Sequence, residues 1–596
     1  MISKMSKLTL LVMKSDIDNT INKLRKLGVV HINEIKKPIS TDIDKINNEI
    51  ENTENTIKLI SNFDIQKQKS DHNPEEIIND IVKLEKEKVD LETRITELNE
   101  IVKWYENWGD ISLQDINDIK KSGYKLNLFS EPISYLKANN IDEIKNIFVI
   151  SKDKNNIKLV EILTKDEDGL NLKEIQIPEI EYSEVKNKVS KIQKQLKNIL
   201  MTEEKYSAYL DDIKNYKSEL ENKLEFAEVK YGMGDSENVF YLSGYCPESK
   251  KDKVVLEADK NSWGYIFEKP TSEDNPPVLL KNSKWIRIIQ PIFDFMGTTP
   301  GYHEYDISIW FLLFFSMFFG MLIGDAGYGM IFLIGTFLAR RKLKKAPFEP
   351  FALFYVLSGA TIIWGVLSGT YFGSEAIAQL SILKMLVNPN ISSFDLTSAG
   401  FNNNQNFMIS LCFLIGAVHL TIAHSLIVFR DFKSLKMLSQ IGWIGIVWSL
   451  YFVAGNLVLQ KEFPQFVLYL LSISMLFALL FSNAENGILK GIGVTLRSLP
   501  LDIISGFSDV VSYLRLFAVG YASVVVAYSF NQMAIGSGIN SIASGIIAVI
   551  ILLLGHTLNI LLGAMGVIVH GVRLNMLEFS GHLNMEWSGI NYKPFK

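Results

Sequence analysis

The sequence predicts a mainly α-helical protein in two parts: an N-terminal antiparallel coiled-coil arm with two small α/β lobes, and a C-terminal membrane domain of about eight helical spans, the last two long and tilted. The first observation behind this prediction is the charge distribution. Sixteen Lys/Arg and 13 Asp/Glu residues follow Gly301, which leaves 45 basic and 53 acidic residues in the first 300. Residues 1–300 therefore form an acidic, water-soluble part, and residues 301–596 have the composition of a polytopic membrane domain.

The second observation is a pair of heptad runs in the soluble part. Apolar residues hold the a and d positions of the first run at Ile81, Leu84, Leu91, Ile95, Leu98, Val102 and Tyr105, and of the second at Val189, Ile192, Leu196, Ile199, Tyr206, Leu210, Ile213, Leu220 and Leu224. Lys88 interrupts the first run, and Glu203 and Lys217 interrupt the second. Two such runs far apart in one chain predict the arms of an antiparallel coiled coil.

Short β-rich pieces and helical pieces alternate around the heptad runs and predict two lobes. The distal lobe spans residues 120–180, and the proximal lobe combines residues 1–40 with 235–285. The phosphate-binding pattern G-x-x-x-x-G-K-[ST] does not occur in the sequence, so we expect a non-catalytic chain. Cys246 and Cys412 lie in different halves and offer no disulfide framework or metal-ligand cluster, so we expect no cofactor and no metal.

The third observation is a set of eight hydrophobic segments, judged against the ~20 residues that a membrane helix needs. They are Ile307–Ile323, Gly327–Leu338, Phe351–Thr370, Asn406–Phe429, Ile441–Leu459, Phe463–Phe481, Ile503–Phe530 and Ile542–Leu577. The last has 36 residues, which makes on the order of 54 Å of helix and requires tilt, a kink or protrusion into water.

Basic residues follow the second, fourth and sixth segments. They are Arg340–Lys345, then Arg430, Lys433 and Lys436, and then Lys490 and Arg497. The positive-inside rule therefore places the N-terminal part in the cytoplasm, and an even number of spans returns the C-terminus to it. Met1–Thr20 carries three lysines and two aspartates and does not resemble a cleavable signal peptide.

Arg515 is the only charged residue within the apolar stretch Val510–Phe530, and the next one along the chain is Arg573. A guanidinium inside hydrocarbon costs from a few to more than about ten kcal/mol, and it cannot escape that cost by losing its proton. Such a residue needs a partner anion, a water-filled cavity, or both. The sequence therefore predicts a functional site at Arg515; the alternative is an arginine bonded to helix carbonyls in a structural bundle.

Four motifs together resemble the membrane stator subunit of rotary V/A-type ATPases, which is called a in eukaryotes and I in prokaryotes. They are FFGMLIGDAGYG (318–329), TIIWGVLSGTYFG (361–373), SDVVSYLRLFAVGYA (508–522) and VHGVRLNMLEFSGHL (569–583), with NYKPF at the end of the chain. The resemblance covers the whole chain. The sequence departs from the eukaryotic pattern at Leu501, where that pattern has a glutamate.

The resemblance implies a stator that forms ion half-channels against a rotor ring and couples H+ or Na+ movement to ATP hydrolysis or synthesis. Arg515 would be the fixed cation that faces the ring carboxylates, with Arg573 as a second cation. The implied partners are the rotor ring (proteolipid) subunits, the peripheral stalk, the central-stalk adaptor of the ring and membrane lipids. The resemblance implies no binding of nucleic acid. The implied location is a prokaryotic cell membrane.

Polar residues near the arginines are candidates for lining the half-channels. They are Asp509, Ser512, Ser523, His570, Glu578, Glu485, His419 and His424. For each histidine, a hydrogen bond inside a structural bundle is an equally good interpretation. Asp325 is expected to cap a helix after the glycine-rich turn.

Two other function classes remain open at this point. A secondary transporter would use Arg515 to bind an anionic substrate, but spans one to four show no repeat in spans five to eight and the stalk would have no role. A membrane-anchored scaffold would leave the arginines without a function. Of the three functions, only the stator requires that this chain transport no ions by itself. It also requires that ions flow once the rotor ring and the catalytic head are present.

Overall fold

The computed structural model describes residues 2–63, 73–132, 146–152, 156–164, 172–236, 239–271, 273–392, 398–482, 488–536, 538 and 541–596. The chain divides into two compact units. The first contains Met1–Val12, Asn22–Asn33 and Tyr241–Lys596, and the second contains Met13–Ile21 and Glu34–Phe240.

Most of one sheet belongs to the first unit, and it combines strands from residues 5–33 and 239–268. The strands are β1 (Met5–Met13), β2 (His31–Asn33), β7 (Val239–Pro247) and β8 (Gly264–Glu268), and helices α1 (Ile17–Leu27) and α7 (Lys251–Lys260) lie between them in the sequence. The strand order in the sheet is β2-β7-β1-β8. Strand β1 pairs antiparallel with β8, and β2 pairs antiparallel with β7. Leu8, Leu10 and Val12 are buried while the residues between them are not, which is the alternation of a sheet with one covered face.

The second unit consists of long helices and a small sheet. Its elements are α2 (Thr41–Ile60), α3 (Pro74–Trp108), α4 (Leu113–Lys121), β3 (Tyr124–Pro132), β4 (Ile147–Lys152), β5 (Asn156–Thr164), α5 (Tyr182–Tyr206), α6 (Leu210–Gly232) and the short β6 (Gly234–Ser236). Helix α3 packs on α5, and α2 packs on α6. The antiparallel sheet has the order β3-β5-β4.

The charged residues that interrupt the heptad runs meet partners across these helix pairs. Lys88 Nζ lies 3.9 Å from Glu203 Oε2, and Lys217 Nζ lies 2.8 Å from Glu54 Oε1. The Glu203 side chain is only 1 % exposed, and burial raises its pKa. A polar pair in an apolar helix interface favours one pairing of the helices over others. The regular coiled-coil geometry stays a prediction.

The rest of the first unit is helical. Its helices are α8 (Gln290–Met296), α9 (Ser308–Ile323), α10 (Ala326–Lys342), α11 (Phe348–Ser368), α12 (Glu375–Ala378), α13 (Ser381–Lys384), α14 (Ser398–Arg430), α15 (Lys436–Leu459), α16 (Phe466–Phe481), α17 (Ile488–Ser512), α18 (Leu514–Ile535) and α19 (Ile542–Gly566). Two π-helical stretches, Val567–Gly571 and Leu574–Phe579, and the single turn α20 (Ser580–His582) continue α19.

Among the described residues, five helical segments have the length and composition of membrane spans. They are Phe348–Ser368, Asn403–Arg430, Lys436–Leu459, Ile492–Ile535 and Ile542–His582. Ser308–Ile323 and Phe466–Phe481 are apolar but shorter, and α10 occupies the second predicted segment. The segments are therefore helical where the sequence predicts spans, while the count of eight stays a prediction.

Among the described residues of this helical part, apolar side chains form two large buried clusters. One surrounds α9, which contributes the fully buried Phe311, Phe318 and Leu322. The other lies among α14, α15, α16 and α17. The seventh predicted span, Ile503–Phe530, connects the two: Val510 belongs to the second cluster and Tyr513 to the first. It is longer than predicted and divides into α17 and α18 at Tyr513.

The turn between α9 and α10 is fixed by Gly324 and Asp325. Gly324 ends α9 with φ +69°, a conformation that a residue with a side chain adopts only at a cost. The Asp325 carboxylate accepts hydrogen bonds from the backbone N–H groups of Gly327 and Tyr328, and also from those of Phe372 and Gly373. The predicted capping role of Asp325 is confirmed, and the same carboxylate also holds the end of the third span.

The C-terminal tail, residues 588–596, returns to the sheet lobe of the first unit. The Val278 N–H donates to the Ile590 carbonyl at 2.7 Å, and the Tyr592 N–H donates to the Val278 carbonyl at 3.1 Å. The Tyr592 hydroxyl donates to the Val29 carbonyl. Burial raises the pKa of Tyr592 to about 12, so the phenol keeps the proton that it donates.

Candidate functional site

The two arginines that the sequence singles out lie beside one carboxylate. Arg515 Nη2 donates to Glu578 Oε1, and Arg573 Nε lies 3.6 Å from the same oxygen. The Glu578 side chain is 3 % exposed, the Arg515 side chain 23 % and the Arg573 side chain 53 %. The anion that the partly buried Arg515 requires is therefore a residue of the same chain.

The helix geometry explains why Arg573 and Glu578 share a face. They are five residues apart, a separation that places two side chains about 140° apart on an α-helix. Leu574–Phe579 is π-helical, and a π-helix closes its turns between residues i and i+5. The π-helical stretch thus brings the Glu578 carboxylate within 3.6 Å of Arg573 while it also contacts Arg515.

The break between α17 and α18 positions Arg515. The Ser512 carbonyl accepts a hydrogen bond from Arg515 Nε at 2.9 Å. In a regular α-helix this carbonyl would accept from the Leu516 N–H, but here that N–H donates to the Tyr513 carbonyl at 3.0 Å. The guanidinium therefore replaces one bond of the helix ladder, which is a recognised cause of a local break. Ser512 takes part in the site through its backbone and not through the hydroxyl group that the sequence suggested.

A polar cavity of about 730 Å³ opens beside these residues. Its lining combines both charge signs with hydroxyl and imidazole groups, contributed by His424, Arg430, Asp431, Lys436, Gln440, Ser498, Asp502, Ser505, Asp509, Arg573, Glu578 and His582, among others. Such a volume holds many water molecules. The Arg573 and Glu578 side chains therefore form part of a surface that water can reach.

Two predicted residues, Asp509 and His424, meet in this cavity through His582. His582 Nε2 lies 3.1 Å from Asp509 Oδ2, and His582 Nδ1 lies 3.0 Å from His424 Nε2. His424 Nδ1 lies 2.7 Å from Gln440 Oε1. Four side chains from different helical segments therefore form a continuous hydrogen-bonded chain.

His419 lies in a packed, hydrogen-bonded environment. Such an environment is the alternative to a half-channel role for each predicted histidine. Its ring lies between Phe314 and Phe579, with centroid distances of 3.8 Å and 4.2 Å. Nδ1 is 2.8 Å from the hydroxyl of the fully buried Tyr513. His419 does not line the polar cavity, so it supports the break at Tyr513 by packing.

Ser523 belongs to a second polar network, which lies apart from the cavity. Its hydroxyl donates to Asn559 Oδ1 at 3.2 Å, and Asn559 Nδ2 donates to the Tyr328 hydroxyl at 3.0 Å. The Tyr328 hydroxyl lies 2.7 Å from His556 Nδ1, and His556 Nε2 lies 3.2 Å from Asn531 Oδ1. This network ties α10, α18 and α19 together.

One predicted site residue that the structure describes, His570, belongs to neither group. His570 is partly buried, and its Nδ1 atom has no hydrogen-bond partner among the residues that the structure describes. Glu485 lies outside the described residues.

His582 and Gln440 are the site residues that the sequence reasoning missed. His582 stands in the motif VHGVRLNMLEFSGHL, four residues after Glu578, so helical spacing from the candidate carboxylate could have indicated it. Gln440 carries no charge and lies on a helix without an arginine, so no pattern in the sequence points to it. Among the described residues, no group of three or more His, Cys, Asp or Glu could hold a metal ion.

Known proteins resemble this chain over two thirds of its length or more. V-type ATP synthase subunit I of Borreliella burgdorferi is 33% identical over 631 residues, covering 100% of this chain and 99% of the relative. V-type ATP synthase subunit I 1 of Treponema pallidum is 28% identical, with 100% of both chains covered. A-type ATP synthase subunit I of Methanocaldococcus jannaschii is 27% identical over 68% of this chain and 63% of the relative. No family model matches the chain.

Proposed function

Because the chain belongs to the subunit I family of V-type and A-type ATP synthases, whose members are non-catalytic membrane subunits of rotary complexes, we propose that it is the stator of the ion-translocating sector. Arg515 is the fixed cation that meets the ion-carrying carboxylates of a rotor ring. The polar cavity is one of the two aqueous half-channels. Together they couple H+ or Na+ movement to ATP hydrolysis or synthesis.

The observation that carries this proposal is the charge count at the site. Two guanidinium groups share the single carboxylate of Glu578, so one positive charge is left without a counter-ion in that group. Arginine keeps its charge at every physiological pH. An excess cation at the edge of an apolar surface attracts a carboxylate supplied by another protein.

The exposures of the two arginines suggest how the work is divided. Arg515 is held by Glu578 and by the Ser512 carbonyl and cannot swing away. Arg515 is therefore the fixed cation, and it favours the ionised form of an arriving ring carboxylate, because an opposite charge within a few ångströms lowers the pKa of that carboxylate. The bound ion then leaves into the cavity. Arg573 is half exposed and 3.6 Å from Glu578, so it acts as the second, more mobile cation at the edge of the cavity.

A long apolar surface beside the site fits a partner inside the membrane. In the most apolar 18-residue stretch of Ile542–His582, only 17% of the residues are buried. Its exposed side chains include Ile546, Ile550, Leu553, Leu554, Leu558, Leu561 and Met565. We propose that the rotor ring and lipid cover this surface. The soluble part docks on peripheral stalks and on the central-stalk adaptor of the ring, and the complex resides in a prokaryotic cell membrane with both chain ends in the cytoplasm.

The test is ATP-driven ion uptake by the reconstituted complex with Arg515→Ala. We expect uptake to vanish, because the ring carboxylate would pass the interface still carrying its ion. Arg515→Lys should fail or nearly fail, since a flexible ammonium does not reproduce the planar guanidinium that reaches both Ser512 and Glu578.

Arg515→Ala also leaves the buried Glu578 without its partner, which is destabilising in its own right. The double variant Arg515→Ala/Glu578→Gln removes that unpaired charge and separates loss of function from loss of assembly. We expect it to assemble and to remain inactive. Robust uptake by either assembled variant, or ion transport by this chain in the absence of ring and head, would refute the proposal.

A further inference from the structure

The chain Asp509–His582–His424–Gln440 has a hydrogen-bond pattern that fixes its number of protons. A carboxylate only accepts, so His582 Nε2 carries a hydrogen toward Asp509. The Gln440 oxygen also only accepts, so His424 Nδ1 carries a hydrogen toward it. The two remaining nitrogens, His582 Nδ1 and His424 Nε2, face each other at 3.0 Å.

A proton must lie between these two nitrogens, since two lone pairs at this distance repel each other. The observed atoms are therefore satisfied when the imidazole pair carries one extra proton, which gives it a charge of +1. If that proton leaves, the hydrogen of His424 must move from Nδ1 to Nε2. His424 Nε2 then donates to His582 Nδ1, and His424 Nδ1 becomes an acceptor. Gln440 must then rotate its amide so that the NH2 group faces His424.

We propose that His582 is a proton-exchanging residue of the cavity and that its charge sets the orientation of Gln440 through His424. This inference rests on the proposed half-channel and adds the residues that exchange protons with the water in it. The exchange is balanced: one N–H bond of the His582 imidazolium breaks, and its proton binds a cavity water, which becomes hydronium. In the His424 ring the Nδ1–H bond breaks and an Nε2–H bond forms, so that ring changes tautomer and keeps its charge. An imidazole can do this near neutral pH, whereas the two arginines cannot.

The charges around His582 determine which form is favoured. Asp509 contacts it directly and stabilises the cation. The other titratable or charged residues that face it are His424 and His419 on α14, Arg430, Asp431 and Lys436 at the α14–α15 turn, Asp502 on α17, and Arg573 and Glu578 on its own segment. Acidic and basic residues are present in similar numbers. The direct contact with Asp509 therefore determines whether the charged or the neutral form of His582 is favoured.

The geometry fits proton exchange better than a purely structural bond. The His582 side chain is 12 % exposed and lines the cavity, so water reaches it. His556 provides the comparison within the same chain: it bonds to Tyr328 and Asn531 in the second network and does not line that cavity. A change of protonation at His582 also has a readable consequence, because it reverses the hydrogen bond to Gln440.

The experiment measures the pH profile of coupled ATP hydrolysis, taken as the part stimulated by an uncoupler, in the reconstituted complex between about pH 6 and 8. His582→Gln keeps hydrogen-bonding groups but cannot take up a proton, so the pH dependence in this range should be lost. His303→Gln, a change of an exposed histidine outside the cavity, is the matched control and should keep the profile of the unmodified complex. An unchanged profile for an assembled His582→Gln complex overturns the inference.

Two further variants make the test independent of whether His582→Gln assembles. Asp509→Asn removes the anion that stabilises the cation, so the midpoint of the profile should move to lower pH by about one unit. Gln440→Glu adds an acceptor that favours the protonated chain and should move it to higher pH. Shifts in the same direction, or no shifts, overturn the inference. Arg515→Ala separates the two proposals. Loss of uptake at every pH in this variant supports the stator function. If the variant keeps its uptake, the stator function is refuted, whereas the pH profile of His582→Gln is a separate result.

Discussion

Glu578 has two guanidinium groups within reach and is almost completely buried. A buried carboxylate is expensive unless it is paired and hydrogen-bonded. Arg515 supplies that pairing, and Glu578 in turn offsets the desolvation cost of Arg515 inside an apolar helix bundle. Each residue therefore makes the other tolerable, and the net charge that remains is the one on the more exposed Arg573.

We expect Glu578→Gln to slow ATP-driven ion uptake by roughly ten- to a hundredfold while leaving the complex assembled. Hydrogen bonds to charged groups contribute about 1.5–3 kcal/mol, and without the carboxylate Arg515 is free to bind the incoming ring carboxylate too tightly. The measurement is initial uptake rate at saturating ATP. Glu586→Gln, a change of an exposed carboxylate eight residues further on, is the control and should keep the original rate; equal rates in the two variants would contradict the role of Glu578.

The need for a counter-ion could be predicted from Arg515 alone, but its identity could not. Glu578 lies 63 positions away in the sequence, and the α-helical spacing that the sequence suggests would turn it away from Arg573. Only the π-helical stretch brings the two together. Ser512 shows the same limit of pattern reasoning, since the sequence displays its hydroxyl group and the structure uses its carbonyl.

At the scale of helices, Gly520 determines how closely α18 approaches α9. A Cβ atom at this position would lie 2.3 Å from the Met321 carbonyl oxygen, which belongs to the backbone and cannot rotate away. The two helices therefore touch through their backbones. Gly520 is five residues beyond Arg515, so this contact fixes the height of the guanidinium within the bundle.

Gly520→Ala is expected to lower the stability of the complex by about 1–3 kcal/mol, the usual cost of overpacking, and to reduce uptake because Arg515 moves with its helix. Thermal unfolding of the purified complex, followed by size-exclusion chromatography, measures the first effect. Gly335→Ala is the matched control: its added Cβ meets nothing within 4 Å, and alanine favours a helix over glycine by up to about 1 kcal/mol. A Gly520→Ala complex as stable and active as the Gly335→Ala complex would show that the close approach is unimportant.

Among the elements, the long helices of residues 74–232 were predictable because apolar residues recur at helical spacing. The interruptions carried information as well: Lys88 and Glu203 break different heptad runs and lie 3.9 Å apart. Opposite charges at two such positions are a sequence signal for the pairing of the helices that carry them. The division of the seventh span at Tyr513 could not be predicted, since it arises from a bond between Arg515 and the backbone and from tertiary packing of His419.

At the scale of the whole chain, residues 2–12, residues 22–33 and the C-terminal tail lie within one compact unit. Strands from residues 1–40 and 239–268 form its sheet, and the C-terminal tail crosses the same lobe. Phe595 is 2% exposed, and its N–H donates to the Val30 carbonyl at 2.9 Å. The segment that carries Arg573 and Glu578 therefore continues directly into an attachment on the sheet lobe.

This attachment gives the tail a mechanical role that can be tested by removing residues 590–596. Burying a phenylalanine side chain contributes about 1.5–3 kcal/mol, and the deletion also removes the hydrogen bonds to Val278 and Val29. We expect the Val278 amide, which donates to the tail, to exchange its hydrogen much faster in hydrogen–deuterium exchange of the complex. ATP-driven uptake should fall while membrane insertion is retained, because the last helix loses its fixed point outside the membrane.

Lys593→Gln is the control for this deletion. Lys593 contacts His31 through its backbone N–H and carbonyl, so a change of its side chain should leave the exchange at Val278 and the uptake rate as they were. Tyr592→Phe removes only the hydroxyl that donates to Val29 and should give an intermediate effect. Unchanged protection of the Val278 amide after the deletion would show that the lobe holds its shape without the tail. In that case the position of Arg573 and Glu578 would depend on packing inside the helix bundle alone.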